Sequence, residues 1–130
     1  MESIVLESVE MRWAPRNRLA TLKYFGNGKP TGKDAEKLIT AMTGWIGTES
    51  LPYFILVDGN RIAGGDPQYR AAWSRFYKKD KHQVRIAIFD IGPVLRVAVE
   101  MFTLGSGLRM KAFASEAEAR AWLGKAGLNA

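Results

Sequence analysis

Cysteine is absent from this sequence, and histidine occurs once, as His82. The first absence removes disulfides, thiolate chemistry and most structural zinc sites. The second leaves little for imidazole-based catalysis, because His82 sits in the basic run KKDKHQ and is expected to be a solvated loop residue. No apolar run approaches the roughly 18 residues that a membrane span requires. The opening MESIVLESVE carries acids and lacks the basic-then-apolar pattern of a signal peptide, so a cytoplasmic location is expected. Internal repeats, low-complexity tracts and linkers are also missing. A chain of 130 residues is therefore expected to form one domain over residues 1–130, with a single core.

What is abundant is positive charge, unevenly placed. Nineteen Lys and Arg face thirteen Asp and Glu, a formal +6. Arg70, Arg75, Lys78, Lys79, Lys81 and Arg85 are opposed within their own segment only by Asp80, so +5 of the +6 is concentrated there. On a helical wheel Arg70, Arg75, Lys78 and Lys79 fan out opposite Tyr69, Trp73 and Phe76, as on a solvated helix. A functional use of Arg70, Arg75, Lys78, Lys79 and Lys81 would favour an acidic protein partner or an anionic membrane surface. Nucleic acid ranks last, because the aromatics that would stack on bases are expected inside.

Hydrophobic periodicity gives the elements. Ser3–Met11 reads as a strand, Trp13–Asn17 as a turn and Arg18–Phe25 as the returning strand of a hairpin. Thr31–Trp45 carries Ala35, Leu38, Ile39, Met42 and Trp45 at helical spacing, with Thr31 and Asp34 placed to cap it. Tyr53–Asp58 and Val84–Phe89 are short apolar runs suited to buried strands. Pro67–Asp80 is amphipathic, and Gly92-Pro93 opens a helix to about Thr103. Leu108–Ala114 is a last strand, and Ser115–Glu118 forms a capping box for a helix ending near Leu123. The order β-β-α-β-α-β-α-β-α implies an α/β fold with a mostly parallel or mixed sheet.

Three places invite chemistry. In VDGNRIAGGDPQYR, the segment Gly64-Gly65-Asp66-Pro67 leads into the Pro67–Asp80 helix. Asp66 fits an N-cap that accepts hydrogen bonds from unpaired backbone N–H groups. The two glycines could expose amides to an anion, but the run has neither a P-loop Lys-Ser/Thr nor a GxGxxG spacing, and Asp66 would repel phosphate. Asp58 and Asp90 each end an apolar strand, which in a parallel sheet sets both carboxylates on one rim. They could hold a cation or share acid–base work, yet no third ligand accompanies them, and each also suits a turn or helix start. No metal and no cofactor are expected, no catalytic residue is assigned, and the chain is expected not to be an enzyme. The Pro93–Thr103 helix is apolar over more than one stripe through Val97, Val99, Met101, Phe102 and Leu104. That implies burial on two sides or an exposed apolar face, and hence either a homodimer or a wall of a small apolar-ligand cavity.

The C-terminal half VRIAIFDIGPVLRVAVEMFTLGSGLRMKAFASEAEARAWL resembles the SpoIIAA-like branch of the STAS domains (sulfate transporter and anti-sigma factor antagonist). A strand, a short loop, a Val/Ala/aromatic helix, the strand MKAF and an acid-capped helix closing on Ala-Trp-Leu carry the likeness. The hairpin, helix and YFILVD strand before them follow the same order. The resemblance implies a non-enzymatic protein–protein interaction module with a regulatory or signalling role. It also implies a phosphorylatable serine at the start of the helix after the third strand. Here that place is Gly64-Gly65-Asp66-Pro67, which contains no Ser or Thr, and Ser74 lies two turns further on. Regulation by phosphorylation at that place is therefore not expected; capping alone is the expected role of Asp66, and a fixed negative charge in place of a phosphoserine is the alternative. The family is also similar in fold to SEC14 (CRAL-TRIO) lipid-binding domains, which implies an apolar or lipid-like small molecule as the alternative partner.

Overall fold

The computed structural model describes residues 2–49, 51–62 and 66–128. Six strands and four helices alternate after an all-β start: β1 (Glu2–Val5), β2 (Val9–Ala14), β3 (Leu19–Tyr24), α1 (Gly32–Ile46), β4 (Tyr53–Asp58), α2 (Pro67–Lys79), β5 (Val84–Phe89), α3 (Pro93–Ser106), β6 (Met110–Phe113) and α4 (Glu116–Lys125). The expected order holds, with the first expected strand folded into two. Ser3–Met11 bends at Leu6–Ser8, where the Leu6 amide donates to the Val9 carbonyl and the Phe25 amide to that of Ser8. Trp13 and Ala14 continue β2 instead of turning, and pair with Ala20 and Leu19.

The strands lie side by side in sequence order. β1, β2 and β3 are antiparallel, and β3 through β6 are parallel. Crossovers that always step to the next strand in one direction, with one handedness, place their helices on one face. Accordingly α1 and α2 pack with Val9, Met11, Leu22, Tyr53, Ile55 and Ile86, and Phe102 of α3 joins them at the edge. α4 covers the other face, over Leu19, Phe54, Leu56, Ala87 and Phe89. Each fully buried side chain of this kind contributes about 1.5–3 kcal/mol. Among the described residues no helix is long and apolar enough to cross a membrane.

The helix starts follow their capping residues. Thr31 accepts from the Asp34 amide while the Asp34 carboxylate accepts from the Thr31 amide, a complete capping box. Ser115 accepts from the Glu118 amide, and its hydroxyl donates to the Glu118 carboxylate. At the hairpin, Arg18 donates to the carbonyls of Pro52 and Ile46, tying the β2–β3 turn to the end of α1.

Candidate functional site

α2 is fastened by its aromatic face. Tyr69, Ala72, Trp73 and Tyr77 are buried against the sheet and α1, with Phe76 partly covered. Its N-cap is Asp66, whose carboxylate accepts from the Tyr69 amide at 2.7 Å, and Pro67 occupies the first helical position. Gly64 and Gly65, expected beside them, lie outside the described residues. Lys78 and Lys79 fall in the last turn, where the helix dipole favours cations. Arg70, Arg75, Lys78 and Lys79 are exposed along α2, with Lys81 and His82 exposed in the turn after it. Arg85 lies partly covered beside Arg109; desolvation first and that neighbour second hold its guanidinium pKa below the usual value.

The two rim carboxylates do come to neighbouring strand ends, since Asp58 pairs in register with Phe89, just before Asp90. They are not equivalent. Asp58 turns back to accept the Asn60 amide at 2.9 Å, so its carboxylate organises a turn. Asp90 is exposed at φ 60°, a left-handed conformation that Asp tolerates better than most residues. Among the described residues no group of three His, Asp or Glu side chains converges as a metal site would require.

α3 differs from the other helices, because none of its residues is buried. Beyond its own ends it leans chiefly on β6. Leu95, Val99 and Phe102 lie on its inner side; Val94, Val97, Met101 and Leu104 form an outer stripe exposed by 82, 54, 68 and 88 %. Of the two expected alternatives, burial on two sides does not occur and an exposed apolar face does.

Under the inner side lies a half-open pocket of about 260 Å³. α2 supplies Arg70, Ser74 and Tyr77 at helical spacing, together with Tyr69 and Trp73. The sheet supplies the floor, through Val57, Ile86, Ile88 and Met110, and α3 the roof, through Leu95 and Phe102. The phenols in the wall stay protonated. Burial pushes the Tyr24 hydroxyl up to about 12, against a smaller lowering by its 2.8 Å hydrogen bond with Tyr69. Tyr69 and Tyr77 are also shifted upward, chiefly by burial. The Trp73 Nε1–H is buried and makes no hydrogen bond of ordinary geometry, although it is near enough to Tyr69 to oppose slightly the rise of that phenol's pKa. Among the described lining residues Arg70 carries the one formal charge, and Ser74, the three phenols and the Trp73 indole N–H are the other polar groups in a mainly apolar wall.

The sequence placed Tyr69 and Trp73 in the core and offered the Pro93–Thr103 helix as either a self-association face or a cavity wall. It did not identify Tyr77, Ile88, Leu95 or Met110 as facing one space. Their common signal is that three stripes on separate elements are apolar and that α3 meets the main core only at its edge, through Phe102.

The SpoIIAA-like family profile matches residues 21–124, from within β3 through β4, β5 and β6 to most of α4. The chain belongs to the SpoIIAA-like family. A solved structure of an uncharacterized protein from the DUF3478 family, with a SpoIIAA-like fold, from Shewanella loihica PV-4, superposes with a TM-score of 0.74. It shares 19 % sequence identity, over 95 % of this chain and 99 % of its own. At that identity the likeness establishes the SpoIIAA-like fold and nothing about activity. No curated protein matches the sequence.

Proposed function

We propose that this SpoIIAA-like chain is a non-enzymatic binding module whose ligand is a small apolar molecule held under α3. The observation that carries the reading is the pocket of about 260 Å³, walled by aromatic and aliphatic side chains and roofed by a helix with no buried residue. Apolar concavities with few polar groups are the usual form of small-molecule sites, and a loosely held roof gives an entry path. Asp58, with its carboxylate turned into a loop, and exposed Asp90 offer less to chemistry than the pocket offers to binding.

Native mass spectrometry of the gently purified chain tests this, alongside Ser74→Trp, which fills the pocket from α2. A small adduct released on denaturation and missing from a folded Ser74→Trp protein is expected. Absence of any adduct, together with no melting shift from a panel of apolar compounds, would remove the reading.

A second reading concerns output. We infer that regulation passes through protein contacts at the outer stripe of α3, with a second copy as the first partner to test. Its support is the exposure of Val94, Met101 and Leu104 on one stripe, a pattern that marks interaction surfaces. Sedimentation should show a dimer in the native chain and a monomer in Met101→Asp/Leu104→Asp; a native monomer at high concentration would end this reading.

A further inference from the structure

We propose that the pocket selects small apolar monocarboxylates, with the hydrocarbon under α3 and the carboxylate at Arg70 and Ser74. This rests on the pocket reading and adds to it the class of ligand. Size comes first. At about 260 Å³ the space exceeds the ~150 Å³ cavity that admits benzene and falls below the ~300–1,000 Å³ of drug-sized sites. A body on the order of eight carbons fits between those limits.

Charge comes second. Of the described residues lining the pocket, Arg70 alone carries a formal charge at neutral pH, and among them there is no Asp or Glu. A ligand ammonium would find no counter-charge there. A carboxylate would find a guanidinium, whose five donors can serve it alongside the contacts Arg70 already makes.

Placement comes third. Arg70 and Ser74 are one turn apart on the side of α2 that lines the pocket, so a positive charge and a hydroxyl belong to one edge of its lining. Arg70 lies near the start of α2, where the helix dipole also favours an anion. The one carboxylate nearby on that helix, Asp66, is engaged by the Tyr69 amide. The remaining described wall is aromatic and aliphatic, with phenols held protonated by burial, and so offers an alkyl or aryl body a mainly apolar surface. Head and tail requirements are thereby separated in space.

Isothermal titration of the full chain with octanoate, 1-octanol and octylamine tests the assignment, repeated on Arg70→Gln, Arg70→Lys and Ser74→Trp. Octanoate should bind about 10-fold or more tighter than octanol, the scale of a charge-assisted contact, and octylamine weakest. Arg70→Gln should erase that advantage while leaving octanol unchanged, and Arg70→Lys should restore part of it. Ser74→Trp should weaken octanoate and octanol alike. Equal affinity for octanoate and octanol in the native chain, or tightest binding of octylamine, overturns the carboxylate assignment and leaves the pocket reading standing. So does an octanoate advantage that survives Arg70→Gln. Binding of none of the three probes overturns both. The comparison among probes on the native chain stands whether or not a variant folds.

Discussion

α2 and α3 both begin at a proline and both follow a parallel strand, yet they are held in opposite ways. α2 buries four side chains and starts at a carboxylate cap, whereas α3 buries none and starts at Gly92, which has no side chain with which to cap. α2 spends its aromatic residues inward and its charges outward. α3 carries apolar residues on both sides and has only Arg96 and Glu100 as charges. The difference teaches where stability and function divide: the half of the sheet under α1 and α2 is a packed core, and the half under α3 is a covered space. In a protein whose net stability is a small remainder of large terms, a helix that buries nothing fully contributes little to it. Such a helix can be kept for what it touches.

The largest effect is expected in the packed half: Leu38→Ala, at a fully buried position of α1, should cost about 2–5 kcal/mol in urea unfolding. Phe102→Ala on α3, only partly buried, should cost clearly less. Equal losses would make α3 a structural helix after all.

Next comes alkaline pH. The buried Tyr24 phenol, raised from 10.0 to about 12, keeps its proton in the folded chain and loses it more readily in the unfolded one. Its contribution is therefore fully present below pH 10 and is lost as pH rises toward 12, on the order of 2–3 kcal/mol for this group. Tyr69 and Tyr77, shifted the same way, should steepen the fall. Tyrosinate absorbance should thus rise together with unfolding in a pH titration; phenolate formation in a chain that stays folded would contradict the burial.

Third, Asp66→Ala should lower stability by about 1 kcal/mol, the worth of an N-cap, read from the denaturation midpoint at unchanged slope. Last and smallest, Val94→Ser and Leu104→Ser should leave the unfolding free energy of the monomer within about 0.5 kcal/mol of the parent. Amide exchange should meanwhile be faster throughout α3 than in α1.

Much of the frame was legible because it is written locally. Tyr53–Asp58 and Val84–Phe89 are continuous apolar runs bounded by turn residues, and they form β4 and β5 with those same limits. Thr31, Asp66 and Ser115 cap the helices their positions suggest, since a cap is a contact three residues long. The break at Leu6–Ser8 escaped notice because β-like residues flank it on both sides. Only pairing with β3 shows that Val9, Met11 and Trp13 face inward while Glu2–Val5 forms an edge. The pocket was legible only in part. Periodicity shows that α3 has two apolar sides, but a void is a relation among α2, β5 and α3, and no single stripe records the gap left between them.

One glycine has a bearing on how such a roof behaves. Gly59 donates its amide to the Phe89 carbonyl at 2.7 Å, and a β-carbon there would collide with Ile91 Cγ2 and with the Phe89 oxygen. The chain that leads into α3 is thus wedged against the end of β4 before the helix begins. Any side chain at position 59 would have to push that link aside, so the seating of the roof depends on a residue more than thirty positions before it.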